Sequence, residues 1–204
     1  MTEQKRAIIL DLDGVVVGKP TPFLKTLARY AIHGRKIFEP PANIPETIEE
    51  LDSDLNPLEW LLLKATARRK VTEEARKYVS SQSETHEVDI YVNTGRPSKK
   101  PWVNATIRTL DQGRILPHLK DVVFKSLRTQ AEIGKAVNAR NISQGYERIV
   151  IVDDNPLDAL MIARFVPDAE VIIIQSLTGG LLYSRVESQR YPNVRRVASL
   201  RTIV

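Results

Sequence analysis

Four short runs rich in valine and isoleucine constrain this chain more than anything else in its sequence. They are residues 6–12 (RAIILDL), 88–93 (VDIYVN), 148–153 (RIVIVD) and 170–175 (EVIIIQ). Their apolar character is continuous rather than alternating, which predicts strands covered on both faces and therefore a parallel sheet. Between and around them lie helical patterns at 71–82, 99–110, 129–141 and 156–165. Strand and helix in alternation predict an open α/β fold, a doubly wound Rossmann-like parallel sheet with right-handed crossovers. Sheets of this kind bind ligands at the carboxyl ends of their strands, where the strand order reverses. The residues to weigh are thus those that close each run: Asp11 and Asp13, then Asn93, Thr94, Gly95 and Arg96, then Asp153, Asp154 and Asn155.

Residues 18–70 break the alternation without offering a strand. Helices are expected at 21–33, 45–52 and 57–69, with the proline-bearing connection FEPPANIP between the first two. This reads as a small helical cap insertion of residues 18–70 in a core made of 1–17 and 71–204, set above the end of the first strand. Such a segment serves as a lid that excludes water, or simply covers apolar surface. A length of 204 residues suits one domain with an insertion of that size.

The chain has no cysteine, which excludes disulfides, thiolate metal sites and cysteine nucleophiles. Its first fourteen residues, charged and then apolar but interrupted by Asp11, fit neither a secretion signal nor a membrane span. A cytoplasmic location is expected, with no membrane partner. The net charge of +5 suits phosphorylated or nucleic-acid partners, although a merely solvated basic surface accounts for it equally well. The three histidines, His33, His86 and His118, stand in no metal-ligand spacing, and Trp60 and Trp102 read as packing residues.

Two carboxylates at the end of a buried strand need an explanation, because burying an ionised carboxyl costs several kcal/mol or more unless it is paired. Asp11 and Asp13 are two residues apart, so in extended chain they point to the same side. With Asp154 they form an all-oxygen donor set of the kind a magnesium ion prefers.

The run DLDGVV after the first strand, NTGRP after the second, a lysine on a following helix and IVDDNPLDAL after another strand resemble, in order, the four motifs of the haloacid dehalogenase-like phosphohydrolases. The likeness covers residues 6–17 and 71–175. It implies that Asp11 is the nucleophile and forms an aspartyl-phosphate. It implies also that Asp13 protonates the leaving oxygen and later activates water, with Gly14 allowing the turn that exposes both. Thr94 would hydrogen-bond a phosphoryl oxygen and a lysine would balance its charge. Lys135, on the helix that enters the strand ending at Asp153, is the candidate favoured, and Lys125 remains open if 122–124 form a further strand. Mg2+ would be held by Asp11, Asp154 and, at residue Asp13, the main-chain carbonyl, with Asp158 orienting the water ligands. Gly95 and Arg96 would face the substrate phosphate.

A weaker likeness in layout, to the phosphatase domain of phage-type polynucleotide kinases, adds a nucleotide or a nucleic-acid 3′-phosphate end as a substrate class. No phosphate loop of the GxxxxGK[ST] type is present, so a kinase half is not expected. The paired acids after IVIV also resemble a response-regulator receiver, but only about fifty residues follow them, against a typical domain of roughly 100–150. Dehalogenases of the family lack the second aspartate that stands here at 13. The remaining alternative is a non-catalytic module that binds a phosphate ligand on the same fold. Substrate identity, oligomeric state and the role of the tail beyond Gln175 are not legible in the sequence.

Overall fold

The structure, a computed structural model, describes residues 5–18, 55, 57–85, 87–126, 130–174 and 191–203. The expected helices at 21–33 and 45–52, most of the segment 18–70, and His33 and His86 lie outside them.

Among the described residues six strands form one sheet: β1 (Arg6–Asp11), β2 (Val88–Pro97), β3 (Asp121–Lys125), β4 (Arg148–Asp153), β5 (Glu170–Ile174) and β6 (Val194–Val197). Their order is β3-β2-β1-β4-β5-β6 and every pairing is parallel. Five helices accompany them: α1 (Pro57–Ala67), α2 (Glu73–Ser83), α3 (Lys100–Gln112), α4 (Ala131–Ser143) and α5 (Pro156–Phe165). The strand-helix alternation expected from the sequence is therefore present, with two strands more than the four apolar runs. The chain runs outward from β1 through β2 to β3, then crosses back to place β4 on the other side of β1. The reversal lies between β1 and β4.

Burial on both faces explains the unbroken apolar runs. Along β1, Ile8 and Leu10 enter one core with Val150 and Val152 of β4 and with Val79 of α2 and Leu110 of α3. Ile9, between them, enters the opposite core with Ile149 and Ile151 of β4 and with Ala136 of α4 and Ile162 of α5. Each of these side chains is almost wholly removed from water, a burial worth about 1.5–3 kcal/mol for each large aliphatic residue.

Helix α2 begins at Glu73 because Val71 is taken up by an antiparallel bridge to Val17, and the Thr72 hydroxyl then accepts from the Ala75 N–H at 3.1 Å. Helix α5 begins where Asn155 caps it, with Pro156 in its first turn. Helix α1 lies against α3, and an ion pair at 2.9 Å joins Glu59 to Lys99 in front of α3. Among the described residues no helix is long and apolar enough to cross a membrane.

Candidate active site

The reversal point gathers the acids. Asp11 closes β1 and Asp153 closes β4, each one residue beyond the paired Leu10 and Val152, so the sheet's own register brings them side by side. Asp154 follows at the start of the turn into α5. Oxygens of Asp11, Asp153 and Asp154 all lie within 4.8 Å of one another. Gly14 lets Asp154 come in: its φ is +109°, and a Cβ there would stand 2.2 Å from Asp154 Oδ2. Only a residue without a side chain meets both conditions.

Lys135, buried on α4, reaches into this group. Its Nζ lies 2.7 Å from Asp11 Oδ1, 2.9 Å from Asp153 Oδ2 and 2.8 Å from Asp158 Oδ2. Burial alone would lower its pKa, but Asp11, Asp153 and Asp158 hold it charged, well above its ordinary value. For Asp153 burial dominates and pushes the carboxyl up to about 6, against the pull of Lys135 and with the push of Asp158 and Asp154. One ammonium among four carboxylates leaves a surplus of negative charge in a dry place. That donor set and that imbalance fit a hard divalent cation.

Two asparagine arrangements hold the frame. Asn93, the register partner of Asp11, donates from Nδ2 to the Lys135 carbonyl at 2.8 Å, and Asn138 donates to Asn93 Oδ1 and to the Phe124 carbonyl, both at 3.1 Å. All of this is buried, so it locks α4 to the ends of β2 and β3. Gly95 allows the same approach, since a Cβ there would lie 2.9 Å from that of Ala131 and 3.7 Å from Lys135 Cε. Asn155 donates its backbone N–H to Asp153 Oδ1 at 2.8 Å and its Nδ2 to Asp158, fixing two of the acids that meet Lys135.

Asp13 stands on a different footing. Its carboxylate accepts from Arg96 twice, Nε to Oδ2 at 3.0 Å and Nη2 to Oδ1 at 2.8 Å, and from Arg69 Nη1 at 3.0 Å. The third nitrogen of Arg96 donates to Thr106 at 2.9 Å, and its plane lies over Trp102. Thr94 is fully buried, with its hydroxyl accepting from the Arg96 N–H at 3.2 Å.

The sequence-expected residues Asp11, Asp154, Asp158 and Lys135 therefore meet in one place. Two expectations change in detail. Asp153, not among the expected catalytic or metal residues, contributes a carboxylate to the triad, because the register of β4 beside β1 sets it next to Asp11. The Asp13 carboxylate is engaged by Arg96 and Arg69 and the Asp158 carboxylate by Lys135; the roles expected of them at a metal were a main-chain carbonyl and the orientation of water ligands. The Arg96 fork, expected to face a phosphate, is closed on Asp13. Lys125 ends the additional strand β3 but donates to the Ser126 carbonyl at 3.2 Å. Arg69 was not among the candidates. It lies in the basic stretch RRK, 56 residues from the aspartate it meets, and no local signal marks it.

No family model and no curated protein matches the sequence. Solved structures do. A haloacid dehalogenase-like family hydrolase from Streptococcus pneumoniae superposes with a TM-score of 0.58 at 16% identity, covering 100% of this chain and 98% of its own. A protein of Clostridium difficile described as a candidate phosphatase gives 0.59 at 14%, with 99% and 98% covered. L-2-haloacid dehalogenase from Xanthobacter autotrophicus, with chloropropionic acid covalently bound, gives 0.53 at 10%, with 98% and 100% covered. At such identities the likeness establishes the fold alone.

Proposed function

We propose that this chain, built on the haloacid dehalogenase-like fold, is a phosphomonoester hydrolase that works through an aspartyl-phosphate on Asp11. The observation that carries the reading is the meeting of Asp11, Asp153 and Asp154 with the buried Lys135 at the sheet's reversal point. Asp11, Asp154 and the main chain at Asp13 would hold Mg2+, with Asp153 and Asp158 beside them. When bound, the ion neutralises the carboxylates and draws negative charge from the phosphoryl oxygens.

An Asp11 oxygen attacks phosphorus while the bond to the leaving oxygen breaks, and Asp13, loaded with a proton from solvent before the step, gives it to that oxygen. Asp13, now ionised, takes a proton from water. The hydroxide so formed attacks phosphorus, the bond to Asp11 breaks, and inorganic phosphate leaves. Lys135 and the Thr94 hydroxyl steady the charge that moves through the phosphoryl group, and Gly95 lets its oxygens approach the backbone. Arg96 holds Asp13 in place. The aspartate at 13 favours phosphate chemistry over dehalogenation and over a silent binding module. A nucleotide or a nucleic-acid 3′-phosphate end is the proposed substrate class, and the basic net charge of +5 favours it. We place the reaction in the cytoplasm.

The test is hydrolysis of an aryl phosphate by wild type and by Asp11→Asn, with magnesium and with chelator. Turnover by the wild type with magnesium alone supports the reading. Equal inactivity on aryl phosphate, nucleotides and 3′-phosphorylated oligonucleotides overturns it.

A further inference from the structure

Arg69 reaches Asp13 from a part of the chain that the four motifs do not include. It sits between α1 and α2, where the chain leaving the inserted segment returns to the core. The return is pinned on both sides: the Gly18 N–H donates to the Lys70 carbonyl at 3.3 Å, the Thr72 N–H donates to the Val16 carbonyl at 3.0 Å, and Val17 bridges Val71. The turn bearing Asp13 is tied into the same structure, through the bridge of Asp13 to Val17 and the Gly14 N–H donating to the Val17 carbonyl at 3.0 Å. Arg69 is therefore anchored to the turn it serves.

Its guanidinium donates from Nη1 to Asp13 Oδ1 at 3.0 Å, the oxygen that also accepts from Arg96 Nη2 at 2.8 Å. Arg96 approaches from the core and grips both carboxylate oxygens. The Arg96 fork sets the plane of the carboxylate, and Arg69 adds a second guanidinium to Oδ1 from the side where the inserted segment returns. The Arg69 side chain is 16% exposed, so the contact is largely shielded and not the loose kind found at an open surface.

We propose that Arg69 is a positioning residue for Asp13, through which the stem of the inserted segment fixes the carboxyl that serves the leaving oxygen. The inference rests on the phosphomonoester reading above. It assigns Arg69 no contact with the phosphoryl group, and this separates it from a phosphate-binding arginine. Misplacing a proton donor harms a reaction in proportion to how much the leaving group needs the proton. An alkyl phosphate, which departs as an alcohol, needs it. A nitrophenyl phosphate, whose phenolate is stable by itself, needs it little.

The experiment compares kcat/KM of Arg69→Ala and wild type on an alkyl phosphate and on nitrophenyl phosphate, because kcat/KM reports the first transfer alone. The alkyl substrate should lose at least about tenfold more than the aryl one, a fraction of what a general acid contributes. Arg69→Lys should recover part of that selective loss, since a single donated bond is within an ammonium's reach. Adding Arg69→Ala to Asp13→Ala should produce no further alkyl-selective loss. Equal losses on the two substrates, as loss of phosphate binding or of fold would give, overturn the proposal, and so does no loss at all. Should the alanine variant not fold, Arg69→Gln and Arg69→Lys carry the same comparison, with a larger selective loss expected for Gln than for Lys. A wild type with no Asp11-dependent turnover on either substrate removes the functional reading itself, an outcome distinct from any pattern among the Arg69 variants.

Discussion

Gly14 shows how much a single position governs this site. Its φ of +109° is open to glycine and strained for every other residue, and the space where a Cβ would go is filled by the Asp154 carboxylate at 2.2 Å. Gly14→Ala must therefore either drive Asp154 out of the acidic triad or unwind the turn that carries Asp13. The expected outcome is a loss of about 1–3 kcal/mol of stability from backbone strain, together with a much weakened response to magnesium. Thermal unfolding with and without magnesium checks both parts: wild type should gain stability from the ion, and the variant should gain little or none. At the same scale, the residues that were hard to find in the sequence are those whose partners lie far along the chain. Asp11, Asp13, Asp154 and Lys135 stand in ordered motifs, whereas Arg69 meets Asp13 across 56 residues and the Asn93–Asn138 pair across 45. Neither link leaves a local pattern.

Among the elements, legibility followed burial. Strands β1, β2, β4 and β5 were plain because a strand covered on both faces is apolar throughout, and their edges agree with the apolar runs to within a few residues. Strand β2 was underestimated: it continues to Pro97, because Pro97 pairs with Lys125 after a register shift beyond Thr94. Strands β3 and β6 lie at the two edges of the sheet. DVVFK is short and closed by charges, and VRRV carries two arginines at its centre, so neither shows the unbroken apolar signature. Edge strands commonly carry such charges, which discourage pairing with other chains. Helix starts were set by caps more than by periodicity. Helix α2 starts at Glu73 rather than at residue 71 because Thr72 supplies the hydroxyl that accepts from the Ala75 N–H at 3.1 Å. Thr72→Ala should lower the stability of the protein by about 1 kcal/mol, read from urea unfolding. The proposed chemistry should be nearly unchanged, because this end of α2 touches none of the acids.

At the scale of the whole molecule, the net charge and the charge gathered at the candidate site are opposite in sign. The chain carries a net charge of +5, yet the described residues at the reversal point set three carboxylates on one lysine and a fourth, Asp154, beside them. A basic exterior draws anions toward the protein, while the acidic centre calls for a cation before an anion can settle there. On the proposed reading the order would be cation first and phosphate second. The fold was legible because it depends on patterns that repeat along the chain. The geometry of the centre was only partly so, because the strand on which each acid ends, and by how many residues, is decided by register between strands.

The central claim is that Asp11 is the atom bearer to which phosphorus is transferred. The most direct measurement is to mix an aryl phosphate and magnesium with Asp13→Ala, in which release from Asp11 is slowed, quench in acid, and locate the phosphoryl group by peptide mass spectrometry. The account predicts phosphate on the peptide that contains Asp11, and none after Asp11→Asn is added. Asp11-independent turnover, or phosphate recovered on another residue, would contradict it.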